Sequence, residues 1–151
     1  MTSSELEAYL HHHIPVSAAM GITVVDASLA RVTLRAALGP NLNHRSTAFG
    51  GSVASLAVLA GWSLLRVNLD DIRPIPQIVV QRTTMDYATP IAAAFDATCL
   101  RPGNDRWERF LGALTRRRRG RLDVDVEVTS DGETAARLHG RFVAMTAPHA
   151  E

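Results

Sequence analysis

The sequence predicts an α+β fold: a curved, mainly antiparallel sheet wrapped around one long central helix that is apolar on nearly every face. Three observations lead there. Residues 49–67 are almost continuously apolar, so as a helix this stretch must be covered by protein all round. Much of the remainder alternates apolar and polar residues in short runs bounded by turn residues, the pattern of paired strands. The links between these runs are short, which favours antiparallel pairing.

Taken in order, residues 3–12 have helical spacing, with Ser3 or Ser4 as cap and Leu6, Tyr9 and Leu10 on one face. Pro15 ends or restarts that helix. Residues 22–26 and 30–38 read as a hairpin, Val32, Leu34 and Ala36 alternating with Arg31, Thr33 and Arg35. Gly39-Pro40-Asn41 breaks the sheet before the long helix, and 70–76, with two prolines, forms a loop behind it. Two strands follow at 77–87 and 91–100, separated by Thr89-Pro90. Trp107, Phe110, Leu111 and Leu114 recur at helical spacing and predict a helix over 105–117. The strands 122–129 and 134–145 close a hairpin around Ser130-Asp131-Gly132. The order α-β-β-α-β-β-α-β-β leaves a sheet edge that a partner subunit can cover or extend.

At 151 residues, 46% of them hydrophobic, the chain suits a single domain over 1–151 with a proper core. A net charge of +1 offers no field for nucleic acid. All sixteen basic residues other than His are Arg, however, and half of them lie between Arg101 and Arg121, so one side is locally basic. The lone Cys99 excludes an internal disulfide framework, and the start lacks the pattern of a secretory signal, so a cytoplasmic location is expected. Residues 49–67 approach membrane-spanning length, but Gly50, Gly51, Ser52, Ser55, Gly61 and Ser63 dilute them, and a core helix is expected instead. His11, His12 and His13 point in divergent directions on a helix and predict no metal site. Cys99 has no activating His nearby in sequence and reads as a buried, inert thiol.

The chemistry concentrates in Asn43-His44-Arg45-Ser46-Thr47-Ala48-Phe49-Gly50-Gly51-Ser52. It sets a polar amide and two glycines at the mouth of the apolar helix. The first N–H groups of a helix lack partners and carry partial positive charge, and glycine lets a ligand reach the backbone. An acyl thioester carbonyl suits that geometry. On structural grounds alone, Asn43 could simply hold a turn, and the glycines could serve close packing.

These residues resemble the hotdog-fold thioesterase superfamily and, within it, the thioesterase-like domain at the C-terminus of YiiD-type proteins. The resemblance is carried by Pro15 through Ile22, by Asn43 through Gly51 followed by Leu59-Ala60-Gly61-Trp62, by Tyr87-Ala88-Thr89-Pro90, and by the closing hairpin. It implies a homodimer with active sites at the subunit interface, entered by the pantetheine arm of coenzyme A or acyl carrier protein. No other cofactor is implied. Related branches hydrolyse thioesters with an Asp or Glu about two turns into the helix, where this chain reads Ser55-Leu56-Ala57-Val58-Leu59-Ala60.

Without that acid, water is a poor nucleophile near neutral pH, whereas loss of carbon dioxide from a malonyl thioester needs only stabilisation of the enolate oxygen. The YiiD-like family is also associated with malonyl-acyl carrier protein decarboxylation, giving acetyl-acyl carrier protein for fatty-acid initiation, with an Asn before the glycine pair implied as catalytic. That position is Asn43. The expected oxyanion donors are Gly50 and Gly51. His44 and Phe49, with Gln81 and Thr83 on the neighbouring strand, are candidate substrate contacts, and Arg117 and Arg118 a candidate dock for phosphate or an acidic carrier. Asp86 is the nearest substitute for the missing acid, were it to face the pocket. Acyl thioester hydrolysis and noncatalytic acyl-thioester binding are the alternative functions.

Overall fold

The computed structural model describes residues 1–146; the expected domain's last five residues lie outside them. Helix α1 (Ser3–His13) is capped by Thr2, not by Ser3 or Ser4. Thr2 accepts the Glu5 N–H while the Glu5 carboxylate accepts the Thr2 N–H, a reciprocal capping box. Ser4 and Glu7 offer the same spacing, but the Glu7 carboxylate is taken by the Val24 N–H at 2.7 Å. Pro15 restarts the chain as the short α2 (Pro15–Ala19), where its missing N–H costs nothing.

The hairpin expected next is β1 (Ile22–Ala27) and β2 (Arg31–Ala36), followed by a 3-10 turn (Gly39–Asn41) and α3 (Gly50–Asn68). Strand β3 spans Gln77–Tyr87, as predicted. Strand β4 (Phe95–Leu100) begins four residues later than expected. The Ile91 carbonyl accepts the Ala48 N–H of the loop before α3, and the ladder with β2 starts only at Ala36 opposite Phe95. Helix α4 (Asn104–Arg117) and the hairpin β5 (Arg119–Ser130) and β6 (Glu133–Met145) complete the fold.

The six strands form one sheet in the order β1-β2-β4-β5-β6-β3, every neighbouring pair antiparallel. Helix α3 contacts all six, so the sheet curves around it. By length and composition α3 resembles a membrane span, but Leu56, Ala60, Leu64 and Leu65 are fully buried under the sheet. Gly61 makes the approach possible: a Cβ there would stand 2.9 Å from the Phe142 ring and 3.3 Å from Val124.

The two edges of the sheet are treated differently. At β1, Glu7 takes the Val24 N–H and His11 Nε2 meets the Ile22 carbonyl at 2.7 Å, so α1 side chains stand in for a missing strand. Strand β4 pairs with β5 only between Cys99↔Val126 and Asp96↔Thr129, and α4 flanks the first half of β5, Arg106 donating to the Asp123 carbonyl at 2.7 Å. Strand β3 has no such cover among the described residues. Nine of its eleven residues are exposed, Val79 and Val80 among them.

Candidate active site

The loop ahead of α3 is a closed unit. Leu42 bridges Ala48, the Asn43 N–H donates to the Thr47 carbonyl at 2.8 Å, and Ser46 takes the left-handed conformation with φ 61° that the tight return requires. The Asn43 side chain fills the interior of this turn. Its Oδ1 accepts the Arg45 N–H at 2.8 Å and the Thr47 N–H at 3.2 Å. Its Nδ2 donates to Thr47 Oγ1 at 2.8 Å and makes a long 3.4 Å contact with the Ala48 carbonyl. The turn-holding role is therefore real, and one amide hydrogen is only weakly engaged.

The loop delivers the chain to α3 without a side-chain cap, in contrast to α1. The Phe49 N–H donates to the Asn41 carbonyl, and the Ser52 and Val53 amides fold back onto the Phe49 carbonyl. The Gly50 and Gly51 amides donate to no protein group among the described residues. These are two of the four orphan donors that any helix start presents, here at the positive end of the dipole.

A cleft of about 310 Å³ opens beside them, lined by Asn43, Thr47, Ala48, Gly50 and Val53, the segment from Tyr87 to Ile91, and Ala135 and Ala136. The far wall is held in register because the Ala88 and Thr89 amides both reach the Ala135 carbonyl. The Tyr87 hydroxyl donates to the Gly50 carbonyl at 2.9 Å, and its ring backs Gly50 at a spacing where a Cβ would sit 3.6 Å away. At Gly51 a Cβ would lie 2.4 Å from the Phe49 ring, so that glycine lets Phe49 fold across the helix start.

Among the described residues, no Asp or Glu lines this cleft. Asp86 pairs in register with Arg137 and borders a separate groove on the outer face with Asp125 and His139, so it does not face the glycines. Burial pushes the Cys99 thiol up to about 12, with a smaller contribution from the Asp125 charge, which keeps it protonated and unreactive.

Of the residues singled out from sequence, Asn43 and Gly50 meet in the cleft, with Gly51 next in the helix. His44 and Phe49 are exposed beside it, and neither lines it. Gln81 falls at a β-bulge between Val80 and Arg82, which breaks the expected alternation with Thr83; both are exposed on β3, away from the cleft. Arg117 ends α4 and Arg118 caps it with φ 56°. Both adjoin the start of β5, about 30 Å along the strand from the residues paired with Ala136. Sequence reasoning missed Tyr87 as a site residue, although the Tyr87-Ala88-Thr89-Pro90 motif marked its position. Val53, Ile91, Ala135 and Ala136 carried no signal that distinguishes a cleft wall from core.

A protein-family model described as "Putative thioesterase (yiiD_Cterm)" matches residues 3–146. Among solved structures, a protein of unknown function from Chlorobaculum tepidum TLS superposes with a TM-score of 0.90 at 23% identity, covering 96% of this chain and 94% of that one. A putative thioesterase from Shewanella oneidensis gives 0.82 at 24% identity, covering 95% and 97%. A mutant form of the phenylacetic acid degradation protein PaaI from Thermus thermophilus gives 0.64 at 22%, covering 87% and 99%. At these identities the likeness is one of fold, the hotdog arrangement of sheet around helix.

Proposed function

Because the chain belongs to the putative thioesterase family of yiiD_Cterm type, we propose that it acts on acyl thioesters and that its reaction is the decarboxylation of a malonyl thioester. One observation carries the finer reading: of two successive unpartnered helix amides, Gly50 lines and Gly51 adjoins a cleft that holds no carboxylate among the described residues. The thioester oxygen is held at the Gly50 and Gly51 N–H groups. The bond between the α-carbon and the carboxylate breaks, its electron pair moves into the enolate, carbon dioxide leaves, and a solvent proton restores the acetyl thioester. Each amide donor aimed at the developing oxyanion is worth roughly a hundred- to a thousandfold in rate. Asn43 turns its weakly held amide hydrogen towards the malonyl carboxylate. No cofactor is required beyond the pantetheine that carries the substrate.

Assembly follows from the unequal edges. With β1 covered by α1 and β3 open, two copies join along β3 as a homodimer about a two-fold axis. Helix α3 contains no Asp or Glu, and the one acid on β3 is Asp86, which borders the outer groove with Asp125 and His139, so the reading needs no base from these elements of the second copy. Antiparallel pairing carries the far end of one sheet towards the cleft end of the other, and with it Arg117 and Arg118, whose guanidinium groups suit the phosphate of coenzyme A or of a carrier protein.

The test is incubation with malonyl and longer acyl thioesters of coenzyme A and acyl carrier protein, followed by mass analysis. Acetyl thioester from the malonyl substrate is the expected product. Free acid and thiol would instead establish hydrolysis, and an unchanged thioester that nonetheless binds would leave a binding module.

A further inference from the structure

We propose that Tyr87 is a positioning residue that strengthens the oxyanion donor through the peptide bond joining Gly50 to Gly51. The inference rests on the thioester reading and deepens it. The Gly50 carbonyl and the Gly51 N–H belong to one planar amide, so charge drawn towards the oxygen leaves the N–H more positive. The Tyr87 hydroxyl donates to that oxygen at 2.9 Å, and hydrogen bonds chained through an amide strengthen one another.

Satisfaction of a stranded carbonyl does not explain this bond. A carbonyl in the first turn of a helix already accepts from the amide four residues on. Nor does burial force it, since Tyr87 is 55% exposed and water could serve its hydroxyl. The hydroxyl is nevertheless aimed across the cleft at one of the two peptides whose N–H groups lack partners. Its placement is fixed from both sides. Tyr87 stands opposite Ala136 in the ladder, the next two amides are pinned to Ala135, and the Tyr87 ring lies against the Gly50 backbone. A polarised Gly51 N–H tightens its grip as charge grows on the thioester oxygen, so the effect appears in turnover more than in binding.

The experiment uses the acetyl thioester of coenzyme A, labelled with carbon-13 at the carbonyl, bound to the full chain. Isotope-edited infrared spectroscopy should show the carbonyl stretch at lower frequency on the enzyme than in water. Tyr87→Phe should bind only slightly more weakly and show a smaller downshift. Its kcat on malonyl thioester should fall about 1.6- to eightfold with KM nearly retained, because strengthening a donor by about 10–30% scales the logarithm of its roughly hundred- to thousandfold effect. Replacing Tyr87 with 3-fluorotyrosine, a more acidic phenol of nearly the same shape, should enlarge the downshift. An equal downshift in all three proteins would overturn the inference while leaving the thioester site intact. Failure of the wild-type protein to bind the thioester at all would overturn the reading beneath it.

Discussion

The amide of Asn43 and the side chain of Thr47 are locked together, Nδ2 to Oγ1 at 2.8 Å, while Oδ1 receives the Thr47 N–H at 3.2 Å. A residue implicated in chemistry is thus also the interior of the turn that presents Gly50. Two substitutions separate these roles. Asn43→Asp keeps acceptors for the Arg45 and Thr47 amides but loses the donor and places a negative charge where the malonyl carboxylate would lie. It should keep the wild-type Tm and lose about a hundredfold or more in kcat. Asn43→Ala should lose activity and roughly 1–3 kcal/mol of stability as well, because donors and acceptors inside the turn go unmet. Full turnover in Asn43→Asp would reduce Asn43 to a holder of the loop.

Gly61 tests the packing that sets the depth of α3 in the sheet. Replacing it with Ala gains up to about 1 kcal/mol of helix propensity. The same methyl would stand 2.9 Å from the Phe142 ring, and overpacking of that kind costs about 1–3 kcal/mol. The clash should win, lowering Tm by about 2–4 °C for each kcal/mol of net loss. Adding Phe142→Leu should recover part of the loss, and thermal melts of the three variants decide the matter.

The pair Asp123 and Arg141 sets an acid limb of stability. The Arg141 hydrogen bonds hold the Asp123 carboxyl below its ordinary value, opposed by a smaller effect of partial burial. A carboxyl whose folded pKa is depressed contributes fully above its unfolded value, near 3.9, and loses that contribution as pH falls through the folded one. Arg141→Gln should therefore be slightly less stable than wild type at neutral pH, the effect kept small because the pair is accessible to solvent. The gap should close below about pH 4. Denaturant melts across that range would contradict the assignment if the gap stayed constant.

The proposed dimer joins along the open edge of β3. Val79 and Val80 are 46% and 44% exposed on a strand with no neighbour on its outer side among the described residues. Val79→Lys together with Val80→Lys should yield a folded monomer under conditions where the wild-type chain sediments as a dimer, since charge on an edge strand blocks further pairing. A dimer that persists in the double variant would place the interface elsewhere.

Much of this was legible in the sequence because it depends on local periodicity. The apolar helix, the span of β3 and the amphipathic α4 all follow from residue spacing, and the positions of Asn43 and Gly50 follow from motif. What was not legible depends on distant partners. Thr2 caps α1 because β1 claims Glu7, and β4 starts late because the helix-entry loop claims the Ile91 carbonyl. The bulge that sets Gln81 out of register has no sequence mark of its own. Tyr87 and Gly50 lie 37 residues apart, so their contact arises only when β3 folds over the start of α3. Ala135 and Ala136 look like core from sequence because a cleft wall and a core layer use the same small apolar side chains.

The most direct measurement is turnover of a malonyl thioester in heavy-isotope water, with products resolved by mass. Enolate formation without a base predicts an acetyl thioester that carries solvent deuterium on its methyl carbon and no solvent oxygen. Malonate bearing oxygen-18 from the solvent, released together with free thiol, would contradict it.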